Sequence, residues 1–217
     1  MIINMFKPEG WTSFDVVKKV RNITKFKKVG HGGTLDPFAS GILIIATEND
    51  TKNLTSISSL YKKYIAVIQL GQTTDTLDID GKIILKRPIP KLSFVEINEA
   101  IQSFRGPSEQ IPPMYSAKHY KGKRLYTLAR KGIVVKRAPS KIDIEMIKLI
   151  SYDKSKITFE VKCSKGTYIR VLGENIAKKL HTVGYLSKLE RIQIGDYHIT
   201  NSISIDNFEK KWKSLEN

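Results

Sequence analysis

The chain has 217 residues, enough for one large domain or two small ones, and its 41% hydrophobic residues can form an ordinary core. No apolar run approaches the roughly 18–20 residues that span a membrane, and the first residues lack a signal-peptide pattern. A single cysteine, Cys163, excludes an internal disulfide framework and favours a cytoplasmic, reducing location. The formal net charge of +16 predicts a polyanionic partner, with nucleic acid favoured over a membrane.

A helix is predicted soon after the N-terminus. Thr12 and Asp15 have the spacing of a capping box, in which each side chain bonds the backbone of the other residue. The residues that follow place an apolar stripe on one face and lysines opposite: Val16, Val17, Val20 and Ile23. This pattern indicates a helix that packs against the core.

The next stretch, residues 30–37 (GHGGTLDP), is rich in glycine and ends in proline. Pro37 fixes its own backbone and favours an extended conformation at Asp36. The apolar run at 41–46 then predicts a buried strand. Asp36 is therefore expected on a stiff loop at the edge of a hydrophobic strand. From this stretch alone, Asp36 is either a catalytic carboxylate or a residue that caps a turn.

A second strand is predicted at 64–70, with Tyr64 at its start, and an acidic loop follows at 71–81. The loop is not a calcium loop, because Thr76 and Arg87 stand where acidic ligands are required. A helix begins after the capping box of Ser93 and Glu96. Its expected buried face comprises Phe94, Ile97, Ile101 and Phe104.

The segment from Arg105 to Lys141 is strongly basic. It holds ten Lys or Arg residues and one acid, and three tyrosines are interleaved with them. Glycines and prolines interrupt regular structure there, apart from a short helix at 124–131. A solvated loop in a lysine-rich protein is one interpretation. Clustered cations with aromatics favour the other, an irregular arm that contacts RNA or DNA.

The last third alternates between strands and helices. Strands are predicted at 142–146 and 157–163, with Cys163 facing the core. If the second strand continues through 165–170, Tyr168 and Arg170 share one side of it. A helix with an apolar stripe follows, then a strand-like stretch at 186–192 and a last helix from Ser204 to Trp212.

Five blocks in this order resemble the bacterial tRNA pseudouridine-55 synthases, the TruB family. They are 7–13 (KPEGWTS), 30–37 (GHGGTLDP), 61–64 (YKKY), 110–117 (QIPPMYSA) and 165–170 (KGTYIR). The block at 122–130 (GKRLYTLAR) extends the fourth. One such block would be weak evidence, whereas five in register are highly specific.

The resemblance implies an α+β fold with a mixed, largely antiparallel central sheet flanked by helices, the pseudouridine synthase fold. It implies a single catalytic domain over 1–217, with a basic thumb inserted at about 105–141 and a short tail at about 200–217. The implied reaction converts a uridine in the T-loop of tRNA to pseudouridine without a cofactor or metal. The chain matches a short form without the family's C-terminal RNA-binding, PUA-like domain, and we expect a monomer.

The resemblance also assigns roles to individual residues. Asp36 matches the nucleophile, and Arg170 matches the arginine that pairs with it. Tyr64 matches the tyrosine that stacks on the target base, with acceptance of a ribose proton as an open second role. Further residues are expected to contact substrate RNA: Lys7, His31, Lys118, Lys121, Lys123, Arg124, Arg130, Tyr168 and Leu189. Two alternatives stay open, a tRNA-binding and folding protein with little or no catalysis, and a synthase for a different RNA.

Overall fold

The computed structural model describes residues 1–216, which form six α-helices and thirteen strands. The strands are β1 (Ile2–Lys7), β2 (Val29–His31), β3 (Ser40–Thr47), β4 (Lys62–Leu70), β5 (Gln72–Thr74), β6 (Ile83–Lys86), β7 (Gly106–Gln110), β8 (His119–Tyr120), β9 (Lys123–Arg124), β10 (Ser140–Asp153), β11 (Lys156–Cys163), β12 (Gly184–Ile194) and β13 (Tyr197–His198). The α-helices are α1 (Ser13–Thr24), α2 (Leu54–Ser59), α3 (Phe94–Gln102), α4 (Leu125–Ala129), α5 (Ile169–Lys179) and α6 (Ile205–Glu216).

The chain divides into two compact units. The first contains Met1–Tyr64 and Leu189–Asn217, and the second contains Ile65–Lys188. Strands β4 and β12 contribute residues to both units. The predicted single domain over 1–217 stays a prediction, and its tail includes Asn217, which lies outside the described residues.

In the first unit, β3 is the central element. It pairs antiparallel with β1 and β2 and parallel with β12. Every residue of β3 is buried, because apolar clusters cover both of its faces. Leu43 and Ile45 pack into a cluster with α1 and α6, whereas Ile42 and Ile44 pack with Ile57 of α2. The loop that carries Asp36 leads directly into this fully buried strand.

In the second unit, the strands follow the order β12–β4–β11–β10–β7. The long strand β10 pairs antiparallel with both β11 and β7. Helix α3 packs beside β10, where Gln102 donates a hydrogen bond to the carbonyl of Ile147. The prediction of an α+β chain with a mixed, largely antiparallel sheet flanked by helices is confirmed.

Several local predictions hold in detail. Both capping boxes form, at Thr12–Asp15 and at Ser93–Glu96. The strands predicted at 41–46, 64–70 and 186–192 lie within β3, β4 and β12, and Cys163 is buried. The short helix expected at 124–131 is α4.

Three expectations are wrong in detail, and one condition is not met. Phe94 is 56% exposed, because it occupies the first turn of α3 while Ile97 and Ile101 supply the buried face. A register shift follows Ile144, so that Ile147 is buried where Met146 was expected to be, and Met146 is only half-buried. Residues 106 and 107 do not interrupt structure, since they open β7. Strand β11 ends at Cys163, so it does not continue through Tyr168 and Arg170.

We expect Gly41→Ala to destabilise the protein strongly. Gly41 has φ +112°, and an added Cβ would overlap the backbone oxygen of Arg191 and lie 2.6 Å from the Arg191 nitrogen. The strained φ should cost about 1–2 kcal/mol, and the clash should cost a further ~2 kcal/mol or more in the free energy of unfolding. Chemical denaturation measures this loss.

Gly106→Ala is the matched control for this prediction. Gly106 has φ +100° but no heavy atom within 4 Å of the built Cβ, so it reports backbone strain alone. Equal losses of stability in the two variants would contradict the close approach of Arg191 to β3.

Candidate active site

Hydrogen bonds fix the backbone of the loop between β2 and β3, which carries Asp36. The side-chain oxygen of Ser13 accepts a hydrogen bond from the Leu35 N–H at 2.9 Å and donates to the Leu35 carbonyl at 3.2 Å. The Gly10 N–H donates to the Pro37 carbonyl at 2.9 Å, and the Ala39 N–H donates to the Asp36 carbonyl at 3.1 Å. These bonds secure the backbone on both sides of Asp36, whose side chain is half-buried.

A buried lysine secures the same loop. Lys7 is fully buried, and its Nζ donates to the carbonyls of Pro8 at 2.8 Å, Trp11 at 2.7 Å and Pro37 at 3.3 Å. Three acceptors match the three donors of an ammonium group. Burial and the charge of Arg191 lower the pKa of Lys7 to about 8, although the carboxylate of Asp36 opposes this shift.

A second buried cation lies on β12. Arg191 is 1% exposed; its Nε donates to the Ile42 carbonyl at 2.8 Å and its Nη2 to the Gly33 carbonyl at 3.1 Å. Gly33 precedes Asp36 in the loop and Ile42 follows it. Lys7 and Arg191 together therefore bind backbone carbonyls before, beside and after the candidate nucleophile, so the loop cannot move without breaking charge-assisted hydrogen bonds.

The other site residues predicted in the first unit lie on its strands. His31 ends β2 and is half-buried. Tyr64, the third residue of β4, and Leu189 of β12 are both buried. Leu189 and Arg191 are two residues apart and share one face of β12. The predicted role of Lys7 in RNA binding stays a prediction, and its backbone contacts favour a positioning role.

In the second unit, Arg170 lies in the first turn of α5 and is buried. Its Nη1 lies 3.3 Å from a carboxylate oxygen of Asp78 and donates to the Thr76 carbonyl at 2.7 Å. Its Nη2 donates to the Tyr115 carbonyl at 2.7 Å. Because Asp36 belongs to the first unit, its pairing with Arg170 stays a prediction.

Tyr168 precedes α5 and is held by a side-chain amide. The Tyr168 N–H donates to Gln110 Oε1 at 2.8 Å, and Gln110 Nε2 donates to the Tyr168 carbonyl at 3.1 Å. Gln110 is buried at the end of β7, opposite Ser140 at the start of β10. This amide thus fixes the residue from which α5 begins.

The five cations predicted to contact RNA from the thumb are all exposed: Lys118, Lys121, Lys123, Arg124 and Arg130. Strands β8 and β9 form a small hairpin, and α4 follows it. The Lys121 ammonium lies 5.8 Å from the ring centre of Tyr120, and the Arg130 guanidinium lies 5.5 Å from that of Tyr126. Cations paired with tyrosine rings suit contacts to a nucleic acid.

Over residues 1–216, no group of three or more side chains of the metal-ligating types His, Cys, Asp and Glu lies together. None of the helices in that range has the length and hydropathy that a membrane span requires.

The family model of the TruB family pseudouridylate synthase, N-terminal domain, matches residues 21–169. The chain belongs to the TruB family. It is 44% identical over 210 residues to the tRNA pseudouridine synthase B of Clostridium tetani, covering 97% of this chain and 73% of that protein. It is 42% identical to the tRNA pseudouridine synthase B of Caldanaerobacter subterraneus subsp. tengcongensis, covering 96% of this chain and 74% of that protein.

Among solved structures, this chain resembles one chain in the crystal structure of a Cbf5-Nop10-Gar1 complex. The TM-score is 0.78 at 25% identity, covering 100% of this chain and 55% of that one. A structure of an H/ACA RNP bound to a substrate RNA gives a TM-score of 0.73 at 24% identity, with the same coverage. These similarities confirm the predicted pseudouridine synthase fold.

Sequence reasoning missed three buried polar residues, one in the first unit and two in the second. Arg191 is a lone buried charge in an otherwise apolar alternation, and that anomaly is a usable signal. Asp78 belongs to the acidic loop at 71–81, and neighbouring residues do not indicate that its buried carboxylate pairs with Arg170. Gln110 opens one of the five family blocks, yet nothing in its surroundings along the sequence indicates its contact with Tyr168.

We expect the stability contributed by Lys7 to rise with pH above its folded pKa. That pKa, about 8, lies below the ordinary 10.5 of the unfolded chain. Between these values the unfolded chain binds the proton that the folded chain has released, so raising the pH favours folding. The free energy of unfolding of the unsubstituted protein minus that of Lys7→Met should therefore increase by about 3 kcal/mol from pH 8 to 10.5.

Urea denaturation across this range checks the expectation, with Lys148→Met as an exposed control that should show no such trend. A difference between the unsubstituted protein and Lys7→Met that stays constant from pH 7 to 10.5 would show that Lys7 titrates normally.

Proposed function

We propose that this protein converts a uridine in the T-loop of tRNA, at position 55, to pseudouridine. The observation that carries the proposal is the Asp36 loop, whose backbone is bound by Lys7, Arg191 and Ser13 in a chain of the TruB family. A nucleophile acts best when its geometry is set before the substrate arrives. The relatives named tRNA pseudouridine synthase B support tRNA as the substrate.

The reaction is an isomerisation and needs no net change in atoms or electrons. The bond between the ribose C1′ and uracil N1 breaks, and a bond between C1′ and uracil C5 forms. The proton lost from C5 is balanced by the one gained at N1. Asp36 attacks the ribose or the base as a nucleophile, through either a glycal or a covalent adduct, and the bond that it forms breaks again before the product leaves.

The base must leave the folded loop before Asp36 can reach it. Extrusion costs a few kcal/mol, and stacking on an aromatic ring recovers roughly 1–3 kcal/mol per base. We assign this stacking to Tyr64, with Tyr168 and Leu189 lining the pocket and His31 entering the loop. The positive charge of Arg170 favours the ionised form of a neighbouring carboxylate, which is the role proposed for it beside Asp36.

The thumb supplies affinity for the RNA backbone. Its exposed cations suit phosphate contacts, which position an RNA without reading its sequence. The proposal includes a monomeric, cytoplasmic enzyme that acts on the T-arm.

Asp36→Asn should abolish product while RNA binding stays within about twofold, because the amide keeps the shape of the carboxylate but is not a nucleophile. Purified protein is incubated with a synthetic T-arm stem-loop and with whole tRNA. The digested nucleosides are separated by chromatography, since isomerisation leaves the mass unchanged. Filter binding gives the dissociation constant.

Asp196→Asn is the matched control, because Asp196 is exposed in the same unit and should leave both turnover and affinity unchanged. Turnover by Asp36→Asn would refute the assigned nucleophile. RNA binding by the unsubstituted protein without any pseudouridine would instead favour a tRNA-binding protein or a different RNA target.

A further inference from the structure

Helix α1 presents a cationic face to solvent. Val16, Val17 and Val20 are buried in the core of the first unit. The opposite side carries exposed residues at helical spacing, which we call the α1 face: Phe14, Lys18, Arg21, Asn22 and Lys25. Phe14 is 62% exposed, so its ring is accessible to a partner.

Cations outnumber acids in this region, where Glu209 lies near Lys19 and Glu48 near Lys28. Residues 18–28 contain six Lys or Arg residues and no acid. Glu209 of α6 pairs with Lys19 at 2.6 Å. Asp15 accepts hydrogen bonds from the backbone and hydroxyl of Thr12 in the capping box. Lys27 and Lys28, which are exposed after the helix, extend the positive surface.

The α1 face begins at the candidate active site. Ser13, the first residue of α1, bonds Leu35 beside Asp36. An open cavity of about 380 Å³ lies at the start of the face, lined by Gly10, Trp11, Asp15, Lys18, Lys19 and Asn22. Gly10 in its wall donates to the Pro37 carbonyl, so the cavity adjoins the Asp36 loop. From there, twelve helical residues extend the face by about 18 Å.

We propose that the α1 face binds the phosphate backbone of the substrate RNA next to the target nucleotide, with a flanking nucleotide in the cavity and Phe14 stacked on a base. This inference rests on the proposed function. Cations beside an exposed aromatic ring form the combination by which proteins bind unpaired nucleotides without reading their sequence. The apolar side of α1 is committed to the core, so the helix cannot insert that side into a membrane.

The test compares two triple variants of equal charge change. The first is Lys18→Gln with Lys25→Gln and Lys27→Gln. The control is Lys91→Gln with Lys148→Gln and Lys156→Gln, three exposed lysines of the second unit. Dissociation constants are measured by filter binding at several salt concentrations, for a T-arm stem-loop and for whole tRNA. Single-turnover formation of pseudouridine is measured at saturating RNA.

We expect the α1 triple variant to bind whole tRNA about tenfold or more weakly, and its log–log salt slope to fall by about 2, since each lost single-strand phosphate contact removes roughly 0.7. The single-turnover rate at saturating RNA should stay unchanged. The control triple variant should keep a slope close to that of the unsubstituted protein. Phe14→Ala should weaken binding about fivefold or more without changing the slope.

Unsubstituted affinity and slope in the α1 triple variant, or equal losses in both triple variants, would overturn the α1 face as a specific RNA contact. This result differs from failure of the proposed function, in which the unsubstituted protein itself forms no pseudouridine. In that case the two triple variants still decide, by affinity alone, whether the face binds RNA.

Discussion

The first unit depends on the hydrogen bonds that two buried cations donate to backbone carbonyls in and beside the Asp36 loop. Lys7 and Arg191 lie inside the protein, where an uncompensated charge is costly. The cost is offset because their N–H groups donate to backbone carbonyls of the loop and its neighbours, and because the charge of Asp36 partly opposes the lowering of the Lys7 pKa. A displaced loop would take one carbonyl acceptor from each buried cation, Pro37 from Lys7 and Gly33 from Arg191. The geometry of Asp36 is thereby tied to the stability of the fold.

The same constraint accounts for the glycine at the start of β3. Arg191 can reach Ile42 and Gly33 only if β12 lies directly beside β3, in the parallel pairing of Arg191 with Gly41. Any side chain at residue 41 would occupy the space of the Arg191 backbone. A buried strand, a glycine and a buried arginine are therefore parts of one arrangement that presents Asp36.

The sequence predicts what depends on neighbours along the chain and misses what depends on distant ones. The capping box at Thr12 and Asp15 involves groups three residues apart, so the pattern and the structure agree. The register shift after Ile144 arises from pairing with β11 and leaves no local mark. Arg191 is the clearest case, since its partners Gly33 and Ile42 lie about 150 residues away. The family blocks identified Asp36, but only the structure reveals what holds it.

In the second unit, buried polar side chains likewise bind backbone groups, here at the predicted thumb and the start of α5. The Tyr115 carbonyl accepts from Arg170, and Gln110 binds both backbone groups of Tyr168, so two points of the predicted thumb are bonded to the start of α5. Tyr168 precedes α5 and provides no side-chain cap, so the Gln110 amide is the group that secures the backbone where the helix begins. A thumb that shifts at Gln110 or Tyr115 must break these bonds or carry Tyr168 and Arg170 with it. The proposed RNA contacts of the thumb are therefore mechanically connected to Tyr168 and Arg170, through backbone atoms that no substitution at Tyr115 can remove.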